Sequence, residues 1–237
     1  MPTYVYAITG PEHPLRLDGA AGVGDPAREI RILRAGPLGV VAGDAPEQLR
    51  AKRRDVMAHQ QVLDRLLRDG PVLPMRFGLV GPDDEQVVEA ITADADRYAE
   101  RLAEVDGCRE YNLKVTRDED EQLREILAEV PEARQLNDLT RADPADHRNK
   151  VALGEVLAAE VRARQERDAR EIVAAAEPVA VRHRDAAPVG SSFVNTSFLV
   201  AVDKADEFTK AVEDEAGRRG EGYAFTLNGP LPPYSFV

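Results

Sequence analysis

A chain of 237 residues is longer than an ordinary single domain and suits two of roughly 100 to 130 residues each, while 43% hydrophobic and 31% charged residues can bury cores and exclude disorder throughout. Acidic residues outnumber basic ones by 43 to 31, and the net charge of -12 repels phosphate and anionic bilayers, so neither nucleic acid nor membrane is an expected partner. With Cys108 the single cysteine, no bilayer-length apolar stretch, and a start (MPTYVYAITG) lacking the basic and apolar regions of a leader, the expected location is cytoplasmic.

Residues 3–8 alternate Tyr4, Tyr6 and Ile8 with Val5 and Ala7, the period of a strand. A Gly- and Pro-rich run follows, and then residues 30–33 and 39–43 read as a hairpin turned at Ala35-Gly36-Pro37. Over 46–68, Leu49, Val56, Leu63 and Leu67 recur at helical spacing, with Gly70-Pro71 as a stop. Residues 72–80 read as one strand, Leu73, Met75, Phe77 and Leu79 on one face and Pro74, Arg76 and Gly78 on the other, with Pro74 placing it at an edge or bulge. A helix is expected over 83–105, ending at Asp106-Gly107, where the domain boundary is drawn: 1–107 an N-terminal α+β domain, 108–237 a second domain.

The second part reads as a strand with Tyr111, Leu113 and Val115 on one face, a helical region at 118–130 and 148–176 broken between by Pro131, Asn137-Asp138 and Pro144, strands at 179–184 and 193–202, a helix at 204–218, and a strand at 223–227. That order is β-α-β-β-α-β, the ferredoxin-like split, here with an interrupted crossover helix and a Pro-rich tail. Asn112, Lys114, Arg182, Arg184, Asn195 and Ser197 should share a polar sheet face opposite Leu113, Val181, Thr196, Phe198 and Val200. Glu160/Arg164 and Glu166/Arg170 have the spacing of exposed ion pairs along the crossover helix.

The chain carries little that reads as catalysis. His13, His59, His147 and His183 lie far apart, without metal-ligand spacing, and His59 reads as a half-buried histidine with a backbone or carboxylate partner. Gly190-Ser191-Ser192 precedes a strand and so lacks the strand-to-helix elbow of a nucleophile, Cys108 has no implied base, and no phosphate-cradling glycine motif occurs. An RNA-recognition reading of the same strand order fails because Val189, Ser191 and Thr196 stand where a base and stacking aromatics are needed. No enzyme, cofactor or metal site is expected. The alternatives kept are a ferredoxin-like, small-molecule-sensing regulatory protein and a hydrolase built on His59 or His183.

Four segments carry a resemblance: Tyr4-Val5-Tyr6-Ala7-Ile8; Val72-Leu73-Pro74-Met75-Arg76-Phe77-Gly78, preceded by His59 in a His-Gln-Gln-Val run; Glu110-Tyr111-Asn112-Leu113-Lys114-Val115; and Gly229-Pro230-Leu231-Pro232-Pro233-Tyr234-Ser235-Phe236. Together and in this order they resemble the gas vesicle GvpF/GvpL family, in which the last segment more often reads GPWPPYSF, so that Leu231 departs from the pattern. The resemblance implies an assembly, accessory or minor structural protein of the gas vesicle, with an N-terminal α+β domain and a C-terminal modified ferredoxin-like domain. It implies the shell protein GvpA and other gas vesicle accessory proteins as partners, with self-association left open. A soluble acidic protein with local apolar patches suits a partner that exposes apolar surface before assembly. The candidate contact residues are Met75, Arg76 and Phe77, on an edge able to accept a strand, and Leu231, Pro232, Pro233, Tyr234 and Phe236 of the stiff tail, which either binds a partner or lies on its own domain.

Overall fold

Thr3–Thr9 forms β1, in which every residue is buried, because this strand is covered on both faces. In the computed structural model, which describes residues 1–237, β1 pairs antiparallel with β3 (Leu38–Asp44), from Thr3 opposite Asp44 to Thr9 opposite Gly39, with an irregularity between Val5 and Ala7. β2 (Ile30–Ala35) completes the expected hairpin, turned at Gly36, whose positive φ of 61° a side chain would resist. The first sheet has the order β2-β3-β1-β4, with β4 Val72–Pro74 at its edge, as Pro74 demands, and β5 (Val80–Gly81) also on β1.

The single strand expected over 72–80 is two short ones with a loop between. The Met75 N–H donates to the Tyr6 carbonyl and the Val5 N–H to the Leu79 carbonyl, so the ladder continues at either end while residues 76–78 bulge out. Gly78, at φ 95°, makes the turn. Leu79, expected on the face of Leu73, is 47% exposed, whereas Leu73 is fully buried.

Helix α1 (Arg53–Asp69) starts later than the 46–68 pattern suggests. It lays Val62, Leu63, Leu66 and Leu67 against Tyr4, Tyr6, Val41 and Val72. The helix expected over 83–105 is two, α2 (Asp84–Ala93) and α3 (Ala95–Val105), parted at Asp94, whose backbone (φ -112°, ψ 21°) is not helical. They bury Val87, Ile91, Leu102 and Val105 against Val5, Ile8, Val40 and Leu73. Alternate residues of β1, β3 and β4 therefore feed two separate cores: α1 lies on one face of the sheet, α2 and α3 on the other.

The second sheet has the order β7-β8-β6-β9, built from Cys108–Arg117 (β6), Arg182–Asp185 (β7), Val194–Ala201 (β8) and Tyr223–Leu231 (β9). The strand first in sequence lies between the third and fourth, which is the order of the ferredoxin-like split. Between β6 and β7 run α4 (Glu119–Glu129), α5 (Pro131–Ala142) and α6 (His147–Ala176). The break expected at 131–144 is thus mostly a helix: Pro131 sits in its first turn, where a missing N–H costs nothing. α7 (Ala205–Arg219) precedes β9.

Asn112 donates to Asn195 Oδ1 (3.1 Å) and Ser197 Oγ (3.3 Å), so these three share a face as expected. Val181, expected on the apolar side, lies outside β7 and is 61% exposed. Arg164 is no surface pair: only 11% exposed, it binds Glu129 on α4 at 2.8 Å besides Glu160 at 3.8 Å, while Glu166 and Arg170 make no ion pair.

The chain divides into two compact units that are not continuous in sequence: Met1–Tyr111 with Leu199–Val202 and Gly229–Val237, and Asn112–Phe198 with Asp203–Asn228. The boundary drawn at Gly107 falls a few residues before the chain first leaves the first unit, and the tail assigned by sequence to the second domain packs within the first. No helix is long and apolar enough to cross a membrane.

Candidate functional site

The first unit gathers an aromatic cluster around His59. Tyr4 and Tyr6 reach the α1 face of β1, and one turn-facing position of α1 brings His59 between them: its ring stacks on Tyr6 (centroids 5.5 Å apart) and meets Tyr4 and Phe77 edge-on. Both ring nitrogens are engaged. Nε2 lies 3.0 Å from the Met75 carbonyl, which can only accept, so Nε2 carries the proton and Nδ1 accepts from the Tyr4 hydroxyl at 2.8 Å. The Gly78 N–H in turn donates to Tyr4 Oη (3.4 Å), and the Val23 N–H to Tyr6 Oη (2.8 Å). His59 and Tyr4 together hold the loop that interrupts the edge strand.

Burial sets the ionisation of the cluster. It pushes the Tyr4 phenol well above its ordinary value against the opposing Gly78 N–H, raises Tyr6 likewise against the Val23 N–H, and lowers His59 although the Met75 carbonyl opposes it. A histidine lowered on folding binds protons more readily in the unfolded chain. Its contribution to stability is therefore full above about pH 6.5 and falls as pH drops below that value toward the folded pKa. Denaturant titrations across this range should show the advantage of the native chain over His59→Gln shrinking as pH falls; an advantage that grows toward acid would contradict a neutral His59.

The tail closes on the same unit. Phe236 is fully buried in the core with Val5, Ile8, Val105 and Leu199, and the Ser235 N–H and hydroxyl both donate to Glu110, at 2.8 and 2.7 Å. Tyr234 packs on the α1-side core, its phenol pushed up to about 12 by burial and then by the charges of Asp64 and Glu110. The candidate contact segments from opposite ends of the chain thus converge: Met75 packs on the core that holds Phe236, and Phe77 on the one that holds Tyr234. Pro232 and Pro233 are buried, Leu231 is half-buried, and Arg76 is exposed with no carboxylate partner.

Sequence reasoning missed Glu110 and Asp55, both buried carboxylates. Asp55 accepts from the Gly24 N–H and pairs with Arg54. The available signal at Glu110 was an acid directly before the apolar set Tyr111, Leu113 and Val115.

In the second unit a hollow of about 390 Å³ is lined in part by Val173, Glu177, His183, Asp185, Phe193 and Thr196. His183 Nδ1 stands 3.7 Å from Glu177, and the Thr196 hydroxyl donates to Asp185 at 2.6 Å. Nowhere do three His, Cys, Asp or Glu side chains converge as metal ligands would.

The fold and this cluster define an α+β protein of two antiparallel sheets whose most deeply placed histidine is used to brace a loop. The chain belongs to the family described as gas vesicle synthesis protein GvpL/GvpF, which it matches over residues 2–237. It is 43% identical to gas vesicle protein F of Streptomyces sp. (strain CB03234) over the full length of both chains. Gas vesicle protein L of the same organism is 28% identical, over 99% of this chain and 92% of that one. The fold matches the crystal structure of GvpF from Anabaena sp. PCC7120 with a TM-score of 0.84, at 21% identity and coverage of 99% and 97% of the two chains. GvpF from Microcystis aeruginosa gives 0.80, at 23% identity and coverage of 99% and 98%.

Proposed function

We propose that this chain is an assembly or minor structural protein of the gas vesicle that acts by binding the hydrophobic shell protein GvpA and other accessory proteins, without catalysis. Family membership across the whole chain carries the reading. It is supported by the state of His59, whose two nitrogens are committed to Tyr4 and Met75 and leave no lone pair for a substrate or a metal.

The contact surface in this reading is the bulged loop after β4. It presents the unpaired cation Arg76 beside Leu79 and Val80, 47% and 39% exposed, on a rigid base made by Met75, Phe77 and His59. Anchored by Phe236, the half-buried tail residues Leu231 and Tyr234 extend that surface, while Pro232 and Pro233 lie buried between them and stiffen the segment.

The test is co-expression with GvpA, capture through a tag on this chain, and scoring of vesicles in a strain lacking it. Leu79→Asp combined with Arg76→Ala is expected to lower GvpA capture by about tenfold or more, as loss of a central contact does, with unfolding unchanged because both side chains are exposed. Normal vesicles without this chain, together with no capture of GvpA, would defeat the proposal.

A further inference from the structure

We infer that copies of this chain stack head to tail, the basic surface at the start of α1 in one copy docking on the acidic α2–α3 layer of the next. The inference goes beyond the shell-protein reading and does not depend on it.

Both surfaces are locally unfavourable as they stand. α1 opens on Lys52, Arg53 and Arg54, preceded by Arg50, at the end of the helix where the macrodipole is positive, and its N-cap Lys52 makes no side-chain hydrogen bond. Arg54 is answered by Asp25 and Asp55, but Arg50, Lys52 and Arg53 are exposed and unpaired. Beside them Arg28 has no partner, and its Nε is buried. On the opposite face of the sheet, Glu85 and Glu89 on α2 and Asp96 and Glu100 on α3 are exposed like-charge pairs at i,i+4, a spacing that weakens a helix. The arginines nearby give them no relief, because Arg97 is bound to Asp94 and Arg101 to Glu104. Asp25, Glu47 and Asp55 lie among the cations of the first surface but leave them in excess, as Arg97 and Arg101 leave carboxylates in excess on the second, so the two layers are opposite in net sign.

The basic surface also has an apolar centre. Val56 and Met57 are 39% and 48% exposed, and Met57 borders a hollow of about 280 Å³ with Ala21, Ala27 and Ala58. The acidic layer offers the small exposed side chains Ala90 and Ala99. Because the two surfaces lie on opposite faces of one sheet, a contact between them leaves a free surface of each kind at the ends. Such a contact is heterologous, so it builds an open chain or a ring of several copies, unlike a two-fold dimer. The net charge of -12 opposes approach at long range, but at about 0.15 M salt the screening length is about 8 Å, so complementary patches in contact outweigh it.

The test is sedimentation velocity and light scattering on the whole chain. At about 0.15 M salt the weight-average mass should rise with protein concentration past that of a dimer, and at about 1 M salt it should return to the monomer. Arg50→Glu/Lys52→Glu/Arg53→Glu makes both layers acidic, and Glu85→Lys/Glu89→Lys/Glu100→Lys makes both basic. Each variant, checked for native circular dichroism, should be monomeric alone, and an equimolar mixture should associate again. The wild-type salt series stands even if a variant does not fold. A chain that stays monomeric at about 0.15 M salt, a mass that levels off at a dimer, or a mixture that remains monomeric overturns the inference.

Discussion

Replacing Phe236 by alanine is expected to destabilise the first unit by about 3–5 kcal/mol, the cost of truncating a fully buried aromatic and leaving its cavity. The size of the effect follows from where the ring lies. It is the penultimate residue, a place where chains commonly fray, yet it has no exposed surface and sits among residues of β1, α3 and β8. Two hydrogen bonds from Ser235 to the buried Glu110 hold the segment against the loss of entropy that docking entails. Urea unfolding followed by tyrosine fluorescence measures it. Phe236→Leu should cost less than half as much, since it keeps most of the volume. A Phe236→Ala chain as stable as the native one would mean that the tail is not part of the core.

Arg219 gives the second large effect. Its guanidinium bonds Asp168 at 3.0 Å, Glu171 at 2.7 Å and Glu215 at 2.8 Å, and its Asp168 partner also accepts from the Tyr223 hydroxyl and pairs with Arg117. Burial works against the charged guanidinium, but its hydrogen bonds to Glu215 and Glu171 and the charges of Glu215 and Asp168 outweigh burial and hold its pKa above the ordinary arginine value. Glu215 and Asp168 are 2% and 4% exposed, so removing the cation strands two buried carboxylates. Arg219→Met is expected to cost about 3 kcal/mol, the low end for breaking a buried pair, because the arginine side chain keeps 16% exposure and Arg117 and Arg218 remain nearby. Arg219→Lys should recover only part of that, since an ammonium cannot hold three carboxylates in the guanidinium's fixed plane. Equal stability of all three chains in urea would show the network to be electrostatically idle.

The expected elements failed for different reasons, one of them a tertiary partner and another a local rule. Residues 72–80 alternate like a strand, but Gly78 turns there and His59, distant in sequence, captures the Met75 carbonyl, so the loop bulges. Residues 83–105 carry one continuous apolar stripe, and no proline or glycine announces the break at Asp94; two short helices cover the sheet where one straight one was expected. Pro131 was read as a breaker, when the same residue at a first turn starts a helix. His59 was legible as a histidine with a backbone partner, but it is buried where a half-buried one was expected, and its partners Tyr4 and Met75 were not legible because nothing in local spacing links them.

Sequence alone determined the α+β class, the strand order of the second sheet's elements, the absence of a bilayer-spanning helix and, through four short segments, the GvpL/GvpF family. These rest on local periodicity, turn chemistry and composition, which act between neighbours along the chain. Only the tertiary structure decided that the tail belongs to the first unit, that Met75 and Phe77 share cores with Phe236 and Tyr234, and that opposite charges lie on opposite faces of one sheet. Those facts depend on which distant segments share a core, and burial of apolar surface is non-directional, so it leaves no periodic mark by which the partner could be read in advance.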